Sequence, residues 1–161
     1  MDSWKEEESK AVDNNIIEIK DVFAGEEVVE ETLDEKYLGD IISHDGRNSK
    51  NIKARINKGR GIVKKILNIL NCIPFGKLYF QIAVILRNSL LVSSLLCNSE
   101  AWFNLTKADL NLIESVDLEL LRKILNAPLT TPKEALFLEL GVMPLRDIIR
   151  QRRIIFLHYI I

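Results

Sequence analysis

Residues 47–66 read RNSKNIKARINKGRGIVKKI. Eight of these twenty residues are Lys or Arg, and none is acidic. Placed at about 100° per residue, Ile52, Ile56, Gly59, Val63 and Ile66 form one stripe that continues into Leu67 and Leu70. Lys50, Lys53, Lys58, Arg60, Lys64 and Lys65 fall on the far side, and Arg55 flanks the stripe. The segment reads as an amphipathic helix that packs by one face and turns positive charge outward. Ser49 is placed to cap it, and Asn71 marks its end. Gly59 and Gly61 each cost up to about 1 kcal/mol relative to Ala inside a helix. They mark either a close approach of another backbone or a kink.

Upstream of this helix the charge reverses. Residues 1–45 hold 15 acids and 4 bases, residues 46–99 hold 10 bases and no acid, and residues 100–161 hold 8 of each. The total of −1 conceals this segregation. A basic surface of this kind meets phosphate, or it neutralises the acidic piece within the same fold. Residues 1–14 are polar and acidic and are expected to be poorly ordered. Ile16, Ile17 and Ile19 with Val22 and Phe23 suggest one short strand, and Gly25 a turn. Val28 and Val29 suggest a second strand, and 36–43 a third in which Gly39 points to a bulge or a close backbone approach. His44, Asp45 and Gly46 close it with turn chemistry. Residues 15–46 thus form a small β region that is too small to stand alone.

Downstream the apolar period becomes 3.6. Pro74 and Gly76 break the chain, and residues 77–99 read as an apolar, mostly buried helix. Gln81, Arg87, Asn88 and several serines interrupt it. A central Arg costs about 2.5–3.5 kcal/mol in a bilayer, which favours a core helix over a membrane span. Thr106 and Asp109 form a capping-box start for a helix with Leu110, Ile113, Leu120, Leu121, Ile124 and Leu125 on one face. Glu114 and Asp117 intrude there. Two carboxylates one turn apart share a proton or a metal, or they pair with Arg and Lys at the packing edge, and the second is the reading preferred. Thr131 is placed to cap the next helix, which stops at Gly141. Pro144 opens the last one, where Arg146, Arg150, Arg152 and Arg153 form a possible second basic patch. The fold class expected is mainly α with a small N-terminal β-hairpin region, divided as residues 1–14, 15–46 and 47–161.

Cys72 and Cys97 lie in apolar surroundings and read as buried free thiols of a reducing, intracellular compartment, cytoplasm or nucleus. There is no CxxC or Cys/His cluster, so no structural zinc is expected. The N-terminus lacks an apolar signal core. Trp102 reads as a core anchor, His158 as a surface residue and His44 as part of a turn. Both chain ends read as cuts in a longer frame.

The order of short motifs carries a further reading. Lys36-Tyr37-Leu38-Gly39-Asp40 precedes the basic helix. Then come Asn98-Ser99-Glu100-Ala101-Trp102, Leu105-Thr106 and Leu121-Arg122-Lys123-Ile124-Leu125. Ala135-Leu136-Phe137-Leu138-Glu139-Leu140-Gly141, Pro144-Leu145, Arg152-Arg153 and Phe156-Leu157-His158 follow. Over residues 36–161 this series resembles the C-terminal part of the reverse transcriptases of non-LTR, LINE-like retrotransposons. The resemblance implies that Tyr37, Leu38 and Gly39 form a primer-grip-like hairpin and that the helices form the thumb. It implies an RNA–DNA template–primer duplex as partner, together with the palm and fingers of the polymerase. Lys50, Lys53, Lys58, Arg60, Lys64 and Lys65 would then contact phosphate. Bond formation in such enzymes uses divalent metal, Mg, on palm aspartates. No Asp-Asp pair occurs in this chain, so no catalytic residue, metal ligand or cofactor of its own is expected, and the chain alone is expected to be inactive. The alternatives are a helical protein–protein interaction module without nucleic-acid binding, in which the basic face docks on the acids of residues 26–35 or on a partner, and an amphipathic membrane-surface helix.

Overall fold

The computed structural model describes residues 22–24, 27–29, 33–37, 40–44, 46, 48–102 and 104–160. The expectations placed on residues 1–14, Ile16, Ile17, Ile19, Gly25, Leu38, Gly39, Asp45 and Arg47 lie outside these. The protein is mainly α with a small β-hairpin region, as the periodicity indicated. It divides into two units, residues 1–33 and 34–161. In the first, strands β1 (Val22–Ala24) and β2 (Glu27–Val29) pair antiparallel, with Val22 opposite Val29 and Ala24 opposite Glu27.

The second unit opens with β3 (Asp34–Tyr37) and β4 (Asp40–Ser43), antiparallel, Asp34 opposite Ser43 and Tyr37 opposite Asp40. The expectation is one strand over residues 36–43; Lys36 and Tyr37 instead belong to β3 and Asp40–Ser43 to β4, and the two strands pair with each other.

Helix α1 (Ser49–Leu70) follows. Asn48 precedes its first turn and makes no side-chain cap, so Ser49 is the first helical residue and not the cap. Its stripe is buried as the spacing required: Ile52, Ile56, Gly59, Val63, Ile66 and Leu70. Each large aliphatic buried this way contributes about 1.5–3 kcal/mol. Gly59 resolves as a close approach, although of a side chain and not a backbone. A Cβ there would sit 2.7 Å from Leu95 Cδ2, whereas one on Gly61 meets nothing within 4 Å.

Helix α2 (Lys77–Leu95) contains a π-helical segment over Arg87–Val92. Ala83, Arg87, Leu91 and Leu95 are buried, at a spacing of four. On a 3.6-residue helix that spacing drifts by about 40° per step; the wider π turn takes up the drift and keeps the four on one side. Ser89 Oγ donates to the Ile85 carbonyl at 2.7 Å, and Ser93 Oγ to the carbonyls of Ser89 and Leu90, which serves carbonyls that the wider turn loosens. The helix is long and apolar enough to cross a membrane by length and composition, with 28% of that window buried. The expectation of a mostly buried helix is therefore corrected. Leu78 and Ile85 are more than half exposed.

A single 3₁₀ turn (Ser99–Ala101) leads to α3 (Lys107–Leu125). Its capping box is complete: Asp109 N–H donates to Thr106 Oγ1 at 3.1 Å, and Thr106 N–H to Asp109 Oδ2 at 3.2 Å. Helix α3 is central. Ile113, Val116, Leu120 and Ile124 join the core of α1 and α2, while Leu121 joins Leu136, Phe137 and Val142 in a second cluster. Helix α4 (Lys133–Leu140) ends at Gly141 in the left-handed region, φ 61°. Pro132, not Thr131, occupies its N-cap position, without a side-chain cap. Helix α5 (Leu145–Ile160) packs its start into the core through Leu145 and Ile149. Trp102 is 2% exposed, a core anchor as expected.

Candidate nucleic-acid interface

The outward face of α1 begins at its positive end. No acid occupies the first turn, and Lys50 and Lys53 stand where the helix dipole already places partial positive charge. Helices are normally acidic there, so the arrangement is unfavourable unless an anion is supplied. Lys50 receives one within the fold: its Nζ lies 2.6 Å from Asp34 Oδ2 of β3. Hydrogen bonds from Lys50 and then Ser43 hold the Asp34 carboxyl below its ordinary 3.8. Lys53, Lys58, Arg60, Lys64 and Lys65 are exposed and make no ion pair among the described residues. Lys53, Arg60 and Lys64 stand one above another at intervals of seven and four, a row about 16 Å long. Lys58 and Lys65 flank it. Of the six lysines and arginines assigned to this face, five have no ion-pair partner among the described residues and Lys50 anchors the hairpin.

The remaining cation of this helix, Arg55, turns inward. It bridges to Asp40 of β4 through Nη2, donates from Nη1 to the Ser94 carbonyl at 3.0 Å and from Nε to Asn51 Oδ1 at 3.3 Å. Its guanidinium also lies over the Trp102 ring, 5.4 Å from the centroid. Asp40 further accepts from Asn51 Nδ2 at 2.8 Å and from Asn98 Nδ2 at 2.7 Å. Burial pushes the Asp40 carboxyl up, but the hydrogen bonds from Arg55, Asn98 and Asn51 together outweigh it and hold the group below 3.8. One carboxylate thereby clamps the β3–β4 hairpin to α1 and to the end of α2. Sequence reading missed this clamp. Its legible trace is Arg55 at the edge of an apolar stripe, with Asn51 one turn before it.

The second basic patch expected on α5 is only partly free: Arg150 is exposed, and the other three arginines have partners within the fold. Arg146 makes two bonds to Glu114, Nε to Oε1 at 2.6 Å and Nη2 to Oε2. Arg152 donates to the Leu96 carbonyl and Arg153 to the Trp102 carbonyl. Both carbonyls lie where helical segments end; the Leu96 carbonyl also accepts from Ser99 N–H at 3.2 Å. Arg150 lies near Asp147, at 3.8 Å. Inside the core, Arg87 holds Asp117 through Nε at 2.7 Å and Nη2 at 2.5 Å, and donates to the Met143 carbonyl at 3.0 Å. Burial pushes the Asp117 carboxyl up, against the opposing pull of Arg87. Glu114 and Asp117 thus pair with arginines, which fits the preferred reading, but both are buried and do not lie at the packing edge.

Tyr37 lies at the end of β3, with its backbone opposite Asp40. Cys72 and Cys97 are free but exposed, which corrects the expectation of buried thiols; each follows the end of a helix, outside its packed stripe. His158 is exposed and His44 is in a turn. Among the described residues no three His, Cys, Asp or Glu side chains gather as a metal site. Comparison with protein-family models, with curated proteins and with solved structures finds no match to this chain.

Proposed function

We propose that this chain is the template–primer-holding part of a reverse transcriptase of the non-LTR retrotransposon type. Its α1 face would grip the phosphate backbone of an RNA–DNA duplex. The observation that supports this is the row of cations on an acid-free helix that make no ion pair among the described residues, in a fold where Arg55, Arg87, Arg146, Arg152 and Arg153 are internally satisfied. The motif series over residues 36–161 supplies the family, with Tyr37, Leu38 and Gly39 beside the primer end. Binding would be independent of sequence, because lysines on backbone phosphates read no base. Polymerisation would need palm aspartates and their Mg, with palm and fingers as partners inside the cell, in cytoplasm or nucleus.

A second reading, a protein-interaction module, is favoured by the last turns of α5, where Ile154, Leu157, Tyr159 and Ile160 are more than half exposed. The two separate in one experiment. Fluorescence polarisation with a labelled RNA–DNA primer–template at low salt should give sub-micromolar binding that collapses in the variant Lys53→Glu/Arg60→Glu/Lys64→Glu. A folded, helical wild-type chain that fails to bind overturns the nucleic-acid reading and leaves the interaction module.

A further inference from the structure

Away from α1, a cleft of about 400 Å³ opens between the start of α3 and the first turns of α5. Lys107, Arg146, Arg150 and Arg153 stand around it, and no acid lines it. Its apolar lining is Leu105, Leu110 and the buried Ile149. The four cations differ in their freedom. Arg146 is held in place by Glu114, whose hydrogen bond and charge also raise its basicity. Arg153 gives one N–H to the Trp102 carbonyl, a neutral acceptor that leaves its charge uncompensated. Arg150 has only the 3.8 Å approach of Asp147 and is 78% exposed. Lys107 is exposed and has no ion-pair partner among the described residues.

We propose that this cleft binds a 5′-nucleotide unit, either a free mononucleotide or the phosphorylated end of a strand. Two or three uncompensated cations with no lining acid select a multiply charged anion. Guanidinium groups match the geometry of phosphate oxygens better than a lone point charge does. The apolar lining adds an organic part that inorganic phosphate lacks, and the volume is at the small end of ligand sites, the size of a nucleotide. None of these residues belongs to α1, so the inference does not depend on the reading of that helix.

The test is a titration of the ¹⁵N-labelled full chain with AMP, with adenosine, with inorganic phosphate and with a short 5′-phosphorylated DNA strand, followed by amide and arginine Nε–H shifts. Saturable shifts at Lys107, Arg150 and Arg153 are expected with AMP or the strand, and the tighter of the two names the physiological source. Phosphate and adenosine should each bind about tenfold more weakly or worse, because each lacks one half of the contacts. The variant Lys107→Ala/Arg150→Ala removes two exposed side chains and should weaken AMP by about tenfold or more at unchanged fold. Lys53→Glu/Lys64→Glu should leave AMP binding as it was. The proposal is overturned if neither AMP nor the strand saturates these shifts by about 10 mM, well beyond a weak specific Kd of about 1 mM. It is equally overturned if phosphate alone reproduces them or if the double variant binds undiminished.

Discussion

Helices α1 and α5 are both rich in cations, and they use them in opposite ways. On α5, Arg146, Arg152 and Arg153 spend their donors on Glu114 and on two backbone carbonyls, so they staple that helix to the body. On α1, Lys53, Lys58, Arg60, Lys64 and Lys65 touch no acid among the described residues, and only Arg55 and Lys50 work for the fold. The difference follows residue chemistry. Arginine offers a rigid fork of donors that can satisfy several buried acceptors at once, whereas lysine offers a hydrated point charge that loses much by leaving water. A count of positive charge along a sequence therefore overstates the surface available to a partner. What matters is which cations have finished their hydrogen bonding inside.

The contrast can be broken first at its inward extreme. Arg87→Met would leave Asp117 buried without its partner and is expected to cost about 3–5 kcal/mol in urea unfolding, while Lys65→Met should change stability by less than about 0.5 kcal/mol. Comparable losses for the two would erase the distinction between inward and outward cations.

Next comes the clamp. Asp40→Ala should cost about 2 kcal/mol, the worth of a charge-assisted bond plus the burden of an unpaired Arg55. The loss should appear as faster hydrogen exchange of the β3–β4 amides, with those of the α3 core little changed. The clamp is also acid-sensitive. Asp40 titrates lower in the folded state than its ordinary 3.8, so its stabilisation is complete above 3.8 and disappears as pH falls through the lower folded value. Asp40→Asn should flatten that acid limb; an unchanged limb would assign it to other carboxylates.

The smallest effects on folding test the two faces of α1 against each other. Gly59→Ala drives a methyl into buried Leu95 and should destabilise by about 1 kcal/mol, overpacking exceeding the helix-propensity gain. Gly61→Ala meets nothing and should stabilise by about 0.5–1 kcal/mol. The same substitution two residues away should thus change sign, and thermal unfolding reads both.

Much of this was legible in the chain. The stripe from Ile52 to Leu70 specified α1 and its buried face, because a 3.6-residue period over 22 residues admits few alternatives. Thr106 with Asp109, and Gly141, located helix ends by local chemistry alone. The pieces that escaped depend on partners distant in sequence. Asp40 finds Asn98 across 58 residues, and Arg87 finds Asp117 across 30. No window along the chain contains those pairings, so the arginines of α5 read as a patch and Asp40 as a strand residue. The π turn in α2 escaped because its cause is a four-residue burial rhythm imposed by α1 and α3, not a local preference. The exposure of Cys72 and Cys97 escaped for a related reason: apolar neighbours in sequence do not determine which face a helix end turns to solvent.

The most direct test of the central claim, that the α1 face is the phosphate-binding surface, is the salt dependence of RNA–DNA primer–template binding by the full chain. Each phosphate neutralised contributes about 0.9 to the slope of log K against log salt concentration. Wild type should show a steep slope, and Lys53→Gln/Arg60→Gln/Lys64→Gln should reduce it by about 3 without changing the circular dichroism spectrum. An unchanged slope in the folded variant would place the contacts elsewhere and contradict the account.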